Sequence, residues 1–374
     1  MSRAAELATT EALLPLGEER PDLACVFVSG VEGDDAEAAL RHAADLLDAR
    51  TVLGCTGHGV IGSARGVEQL PAVSVWTATL PGSRTRSFHL EVLRTDQSLS
   101  VVGMPPTDQA GVGLLLADAW TFPVDGFVTR SNATLSGLPL VGGLASGTSG
   151  AGSTRLLLDG RVTDRGAVGV LVSGDLTRTV VSQGCRPIGP VMTVTASDGN
   201  VLLGLAGRPA LERLRAVIAE LPEEDQVLAV NGLQVGIAMD EYADEHGYGD
   251  FLVRGVLGVD EDRGAVAVGD VVDVGRTVQF QLRDAGAADA DLALMLRRFR
   301  EDGGLAPEGA LLVSCNGRGR ALFDDAAHDV VAVREGLGTR RVAGFFAAGE
   351  IGPVGGRNHV HGLSASMLVV GERT

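Results

Sequence analysis

The sequence predicts a mixed α and β fold, of the α/β class, in two domains with internally duplicated strand-helix-strand units and substantial mixed sheets. The chain has 374 residues, and domains usually contain about 100–200 residues. Hydrophobic residues make up 45% of the chain and glycine contributes 52 residues, which indicates a large core of small side chains with many turns. Apolar residues alternate along the chain between the spacing of buried strands and that of helices.

The N-terminal half begins this alternation after a tail of about twenty residues. LACVFVSG at 23–30 is typical of a buried strand, and DDAEAALRHAADLLDA at 34–49 keeps a helical period with aspartates at its N-cap. TVLGCTGHGVIG at 51–62 indicates a second strand that runs into glycines, and PAVSVWTATL at 71–80 a third.

The C-terminal end repeats the same order. The stretch 309–319 is strand-like and ends in a turn, 321–337 is helix-like, and HGLSASMLVV at 361–370 closes the unit. AGFFAAGEIG at 343–352 and LGCTGHGVIG at 53–62 share three glycines and an isoleucine at matching places. A weaker third copy has Gly142, Gly147 and Gly150 at the same spacing. We therefore expect duplicated supersecondary units rather than a solenoid.

The sequence pattern changes in the middle of the chain. TASDGNVLLGL contains a hairpin signal, and RPALERLRAVIAELP at 208–222 is a helix that ends at a proline. The acidic triplet at 223–225 is interpreted as a linker. We therefore predict an N-terminal tail over 1–20, a first domain over 21–222 and a second over 223–370.

Charge and composition exclude several classes of function. The net charge of −17 disfavours nucleic acid and anionic membranes as partners. All 31 basic residues are arginine, which excludes Schiff-base and phosphate-loop lysine chemistry. The four cysteines are widely spaced, and neither a secretory signal nor a long apolar run is present. We therefore expect a cytoplasmic protein with reduced thiols.

One glycine motif resembles a nucleotide site but lacks its context. GHGVIG at 57–62 matches GxGxxG. A dinucleotide site also needs a helix that opens on this loop and an acidic residue about twenty positions later, and the sequence provides neither. We therefore expect no cofactor. The glycines are either tight turns or bare backbone that faces a small ligand.

The densest polar motif is CNGRG at 315–319. Arg318 stands between Gly317 and Gly319, where its guanidinium suits a carboxylate; an exposed turn is the alternative. Cys315 as a nucleophile would need a base that the sequence does not place nearby. Glu350, next to Gly349, suits an amine or an ion pair with Arg318.

Other candidates have weaker patterns. Arg186 and Arg254 are possible anion contacts or buried ion-pair arginines. His58, His359 and His361 are weak candidates for a metal site, and we expect none. Cys55, inside the first glycine loop, completes the predicted ligand-binding set.

The motifs together resemble the FIST domain family over about residues 21–370. LGCTGHGVIG, GGLASG and GCRPIG are similar to motifs of its N-terminal half, and FLVRGVLGVD, SCNGRG and GFFAAGEIGP to those of its C-terminal half. The chain departs from the family pattern at His58, where alanine is frequent, and at Val60, where glutamate is frequent. The first loop is therefore expected to bind differently or not at all.

The resemblance implies an intracellular sensory module of bacterial signal transduction that binds small ligands such as amino acids. Under this hypothesis the arginines hold a carboxylate, Glu350 holds an amine, and a glycine-lined cleft lies between them. We expect the output to pass through a signalling partner protein or a homo-oligomer. The alternative is a hydrolase of small amides or lactams that uses Cys315 or a histidine-bound metal; a binding protein is preferred to an enzyme. An interaction scaffold without a ligand is the third possibility.

Overall fold

The computed structural model describes residues 1–95, 99–135, 137–147, 150–243, 246 and 249–374. These residues have the mixed α and β fold that the sequence predicts. They divide into two compact units, of which unit 1 contains Met1–Val181 and Ala293–Thr374 and unit 2 contains Ser182–Leu292. The predicted division at residue 222 concerns segments of sequence and stays a prediction.

The helices and strands of the described residues are numbered in chain order. The helices are α1 (Ser2–Leu13), followed by a 3-10 turn (Leu14–Leu16), α2 (Gly33–Leu47), α3 (Val124–Thr134), α4 (Ala210–Ala219), α5 (Glu223–Gly232), α6 (Ala285–Asp302), α7 (Gly319–Phe323) and α8 (His328–Leu337). The strands up to the start of unit 2 are β1 (Leu23–Ser29), β2 (Thr51–Thr56), β3 (Gly59–Gly62), β4 (Arg65–Glu68), β5 (Ala72–Ala78), β6 (Thr85–Arg94), β7 (Leu99–Val102), β8 (Ala110–Asp118), β9 (Leu140–Ala145), β10 (Leu156–Leu158), β11 (Arg161–Thr163), β12 (Ala167–Ser173) and β13 (Thr177–Ser182). The remaining strands are β14 (Cys185–Pro187), β15 (Met192–Asp198), β16 (Val201–Leu205), β17 (Arg208–Pro209), β18 (Leu233–Ala238), β19 (Phe251–Asp260), β20 (Ala265–Val268), β21 (Thr277–Arg283), β22 (Ala306–Cys315), β23 (Val342–Ala347), β24 (Glu350–Val354), β25 (Arg357–His361) and β26 (Ala365–Glu372).

Unit 1 contains three copies of one strand-helix-strand unit, which we call repeats 1, 2 and 3. In each repeat an opening strand, a helical connection and a parallel second strand are followed by a hairpin and a closing strand that is antiparallel to the opening strand. Repeat 1 runs from β1 to β5, repeat 2 from β8 to β12 and repeat 3 from β22 to β26. The predicted duplication of the outer pair is confirmed, and the middle copy exists as well.

The hairpins exchange between repeats in a closed cycle. The β3–β4 hairpin of repeat 1 pairs with β23 of repeat 3, and the β24–β25 hairpin of repeat 3 pairs with β9 of repeat 2. The β10–β11 hairpin of repeat 2 pairs in turn with β2 of repeat 1. Each of the three sheets of unit 1 is therefore completed by a neighbouring repeat.

One glycine in each second strand allows the close parallel pairing. A Cβ atom at Gly54, Gly142 or Gly344 would lie far inside van der Waals contact with a carbonyl oxygen of the opening strand. These three glycines match the predicted alignment. The expected matches at Gly147 and Gly150 are wrong, because Leu157 is the residue that pairs with Gly54. The hairpin of repeat 2 starts later, so its later glycines agree with the other loops only by chance.

The inward faces of the three sheets pack against one another. The main hydrophobic core takes buried side chains from the opening, second and closing strands of every repeat. Phe27 of repeat 1 stacks on Phe345 of repeat 3 with ring centroids 4.7 Å apart. The centre of unit 1 is therefore a packed core.

Unit 2 is organised around a barrel. Antiparallel strands β15, β16, β20, β19, β18 and β21 follow one another, and β21 pairs back to β15, which closes the ring. Helices α4 and α5 contact these strands. The acidic triplet at 223–225, interpreted above as a linker, instead forms the first turn of α5, where negative charge is favourable at the positive end of the helix dipole.

The helices of the described residues are not of the membrane-spanning kind: each is too short or too polar to cross a bilayer.

Candidate functional site

The predicted site around Cys315 lies in unit 1, where β22 ends. The chain turns tightly there, since the Arg318 amide donates to the Cys315 carbonyl oxygen at 2.9 Å. The Gly317 amide donates to the Cys315 sulfur at 3.4 Å. The thiol is buried, and this burial, reinforced by the nearby Glu350 carboxyl, raises its pKa to about 12.

Arg318 is fully buried and bound to a carboxylate of the protein itself. Its Nε and Nη2 atoms donate to the two Asp329 oxygens at 2.7 and 2.9 Å, and Ser314 Oγ donates to the same carboxylate at 2.6 Å. Burial raises the pKa of Asp329, but the Arg318 charge and the hydrogen bonds from His328, Arg318 and Ser314 together outweigh it and hold that pKa well below its usual range. The planar fork that we assigned to a ligand carboxylate is thus taken up by Asp329.

Glu350 begins β24 and is also fully buried. Its Oε2 atom accepts hydrogen bonds from the Ser364 amide at 3.1 Å and from Ser364 Oγ at 2.9 Å. Its Oε1 atom accepts none from the part of the chain that the structure describes. Burial raises the pKa of Glu350 to about 8, although Ser364, Cys315 and Arg318 oppose the shift. The carboxyl is therefore mostly protonated at neutral pH.

The three repeats show that Glu350 replaces an apolar residue. Glu350 lies opposite Gly143, one residue after Gly142, the close-contact glycine of repeat 2. Val60 and Leu156 occupy the same register in the other two hairpins and are buried. Repeat 3 alone places an ionisable group at this position, which marks the Cys315, Arg318 and Glu350 cluster as specialised.

The glycines predicted beside this cluster pack closely against the rest of unit 1. A Cβ on Gly319 would overlap the Glu68 carboxylate, and one on Gly349 would lie 3.0 Å from Leu144. The Gly349 carbonyl oxygen also accepts a hydrogen bond from the Leu144 amide at 2.8 Å. These glycines hold elements together at short distances.

The remaining predicted ligand residues lie elsewhere. Cys55 belongs to the main core, where burial, with a further contribution from Cys25, raises its pKa well above the usual range. Arg186 and Arg254 belong to unit 2. Arg186 pairs with Asp225 and with Asp284 at 2.7 Å, and Arg254 pairs with Asp270 at 2.8 Å. The ion-pair interpretation therefore describes both arginines.

The candidate metal ligands make ordinary contacts. His359 and His361 lie on β25 with ring centroids 5.9 Å apart, and His361 Nε2 is 3.0 Å from the Gly352 carbonyl oxygen. The His58 amide donates to Phe346 at 3.1 Å. Within the described ranges, no group of three or more His, Cys, Asp or Glu side chains is arranged to hold a metal ion.

Unit 1 also contains a cleft that the sequence did not reveal, which we call the arginine cleft. Its volume is about 730 Å³, and it is bordered by α1, by the whole of β5 and by strands β3 and β23. The duplicated stretches at 53–62 and 343–352 thus do meet beside a hollow, since Gly62 and Ala343 line it and pair with each other. Trp76, which is 5% exposed, contributes an aromatic wall.

Positive charge surrounds this cleft. Four arginines line it, against two glutamates. Glu11 accepts a hydrogen bond from Ser63 at 2.6 Å, and Glu308 lies 3.8 Å from Arg341. The Nε atom of Arg334 is buried without a hydrogen-bond partner among the residues described here. The four arginines are Arg65, Arg334, Arg340 and Arg341.

Comparisons with known proteins decide the family. The FIST N domain model matches residues 22–208 and the FIST C domain model matches residues 210–353. The chain belongs to the FIST family. FIST domains are associated with sensory roles in signal transduction.

Two mycobacterial relatives match the chain over nearly its whole length. An uncharacterized protein of Mycobacterium tuberculosis strain H37Rv is 42% identical over 368 residues, which is 98% of this chain and 96% of the relative. An uncharacterized protein of Mycobacterium bovis is 41% identical over 98% of this chain and 95% of its own length. The arginine cleft takes its lining from both FIST segments and from α1, whereas Cys315, Arg318 and Glu350 all lie within FIST C.

Proposed function

We propose that this FIST protein is a sensory protein of signal transduction that binds a small carboxylate-bearing metabolite, such as an amino-acid-like compound, in the arginine cleft. The observation that carries the proposal is a cleft of about 730 Å³ lined by four arginines. Ligand sites usually have volumes of about 300–1,000 Å³ and combine apolar walls with a few polar groups.

The lining chemistry favours an anion with an apolar part. Guanidinium groups bind carboxylates in a planar, two-pronged geometry. The buried Nε of Arg334 has an unused donor among the described residues, and an unsatisfied buried donor gains from a ligand oxygen. Trp76 and Val342 offer apolar surface on the same walls.

The buried cluster does not carry the proposal. Two of the Arg318 donors already bind Asp329, and Glu350 and Cys315 are buried. The cluster lies at the C-terminal ends of β22 and β23, whereas the cleft borders the first residues of both strands. Direct ligand contact by Arg318, Glu350 and Cys315 stays an untested prediction.

Thermal denaturation with a panel of amino acids and small carboxylates tests the proposal. A true ligand raises the melting temperature with concentration, because it binds the folded state only. Replacing Arg334 and Arg340 together by glutamine should weaken the affinity about tenfold or more, the scale of one lost charged hydrogen bond. Arg161→Gln is the matched control, since Arg161 is exposed on β11 outside the cleft. A ligand that binds the double variant as tightly as the natural protein would contradict the assignment of its site to the arginine cleft.

The alternative, a hydrolase that uses Cys315, has less support. A thiolate is the attacking form of cysteine, and the raised thiol pKa of about 12 disfavours it here. We expect the folded protein to resist iodoacetamide at pH 8 while the unfolded chain reacts. Rapid, selective labelling of Cys315 in the folded state would instead support the hydrolase.

A further inference from the structure

The edges of the closing strands differ among the three repeats. Closing strand β12 of repeat 2 pairs with β6 on its outer edge, and closing strand β26 of repeat 3 pairs with β13. β6 follows β5 in the chain, and β13 follows β12. Among the strands of the described residues, closing strand β5 of repeat 1 is the last strand of its sheet. Two of three equivalent edges thus carry an added strand.

The arginine cleft lies at the third edge. Every residue from Ala72 to Thr79 lines the cleft, which places the outer backbone edge of β5 along its length. One wall is α1, tied to this strand by a hydrogen bond from Thr77 Oγ1 to the Ala12 carbonyl oxygen at 2.7 Å. The opposite wall is β3. Ser74 Oγ of β5 donates a hydrogen bond to the Ile61 carbonyl oxygen of β3 at 2.6 Å. The cleft therefore has the place and the boundaries of a strand slot.

We infer that the ligand of the arginine cleft is an acidic peptide segment in extended conformation, which pairs with β5 as an additional antiparallel strand. The orientation follows β6, which is antiparallel to β12 at the equivalent edge. The seven residues of β5 set the length of the paired segment. This inference rests on the proposed function, because it uses the same cleft and specifies the class of carboxylate ligand.

Backbone pairing and charge act together in this inference. An edge strand presents unpaired N–H and C=O groups, which an added peptide satisfies, while pockets beside the edge select side chains. Arg65 and Arg340 are exposed at the cleft, where they attract negative side chains. A peptide with glutamate at alternate positions directs its carboxylates to one face of the strand and its apolar residues to the other.

The test uses an acetylated and amidated heptapeptide of alternating valine and glutamate. Binding is followed by Trp76 fluorescence in a Trp120→Phe background, since Trp76 lines the cleft and Trp120 is exposed outside it. Two further peptides carry N-methyl groups on either the odd or the even residues. Only alternate amides of an added strand face the edge that it joins. We therefore expect one methylated peptide to lose at least tenfold in affinity and the other to bind like the parent.

Separate outcomes distinguish the inference from the proposed function. Equal binding of the parent and both methylated peptides would overturn strand pairing. Equal binding of a heptapeptide of alternating valine and lysine would overturn the choice of an acidic peptide. If succinate or amino acids bind in the cleft and the heptapeptide does not, the inference fails and the proposed function stands. If neither binds, both fail.

Protein variants provide the second arm. Arg65→Gln and Arg340→Gln should each weaken the acidic heptapeptide about threefold to fivefold, as expected for an exposed charge pair. The control Arg161→Gln should leave its affinity unchanged. An unchanged affinity in both cleft variants would remove the charge complementarity on which the choice of an acidic peptide depends.

Discussion

At the start of the exchanged hairpin, repeat 1 buries the Val60 side chain, whereas repeat 3 buries the Glu350 carboxyl at the same register. The helices differ in the same way. α2 of repeat 1 carries an exposed pair of Glu37 and Arg41, whereas α8 of repeat 3 carries Asp329, bound to the buried Arg318. One backbone plan thus supports an apolar interior in one copy and an ionisable interior in the other. The shared backbone depends on the close-contact glycines, and the buried ionisable groups of repeat 3 occupy few positions.

The largest expected effect tests what the two repeats share. Gly344→Ala places a methyl group into the Leu312 carbonyl oxygen, and Gly54→Ala places one into that of Val26. Both should destabilise the protein by more than about 4 kcal/mol or prevent folding, since the obstacle is backbone that cannot rotate away. Urea denaturation or soluble yield measures the effect. Gly82→Ala provides the comparison in open space, where the positive φ alone leads to a smaller loss. A mild effect at Gly344 would break the proposed equivalence.

The second prediction tests what the repeats do not share. Asp329→Ala leaves Arg318 buried without its carboxylate and should cost about 3–5 kcal/mol of the free energy of unfolding. The counterpart in repeat 1, Arg41→Ala, removes the exposed guanidinium of an ion pair between residues four apart and should cost at most about 0.5 kcal/mol. Chemical denaturation of both variants measures the two losses in the free energy of unfolding. Similar losses would mean that the two ion pairs do not differ as their burial indicates.

The third prediction uses the pH dependence of repeat 3. The pKa of Glu350 is raised to about 8 in the folded protein from an ordinary value of 4.5, so between these values the folded state binds more protons than the unfolded state. Stability from this group is therefore complete below pH 4.5 and is lost as the pH rises through 8. As the pH rises over this range, the free energy of unfolding of the natural protein should fall by up to about 1.4 kcal/mol per pH unit relative to that of Glu350→Gln.

Denaturation of both proteins from pH 5 to 9 measures that difference. Glu335→Gln, on the exposed face of α8, controls for the removal of one carboxylate. Parallel pH profiles for the natural protein and Glu350→Gln would show that the buried carboxyl is ionised in both states.

The smallest expected effect concerns Ser364, which holds the Glu350 carboxyl through its side chain and its amide. Ser364→Ala keeps the hydrogen bond from the backbone amide to Glu350 and removes the one from the hydroxyl. The free energy of unfolding at pH 6 should therefore fall by about 1 kcal/mol. The midpoint of the pH profile should also move upward, because a hydrogen bond that favours the charged form is lost. A downward movement would mean that Ser364 stabilises the protonated carboxyl.

Local features of this fold were predictable from the sequence, and distant pairings were not. The strand and helix order of repeats 1 and 3, and the close-contact Gly54 and Gly344, follow from spacing and from the space that glycine leaves. The partner of Arg318 was missed because Asp329 lies eleven residues later in the chain, and nothing in a sequence fixes how a turn returns to a helix.

The arginine cleft was missed for a related reason. Its cationic wall is assembled from β4, α8 and the segment after α8, and none of these arginines stands in a motif. The edge of β5 is recognisable only when the three closing strands are compared in space. Glycine spacing also gives the wrong equivalence at Gly147 and Gly150, because the register depends on where the hairpin starts and not on the number of residues between glycines.

The exchange of hairpins sets a condition on biosynthesis. Strand β3 (Gly59–Gly62) cannot pair with β23 (Val342–Ala347) until β23 has been synthesised. A ribosome needs roughly 15–60 s to add the intervening residues at about 5–20 residues per second. During that interval the nascent hairpin presents unpaired backbone to the solvent. The ring of repeats therefore makes completion of the last sheet, rather than formation of the first, the step at which the growing chain becomes protected from aggregation.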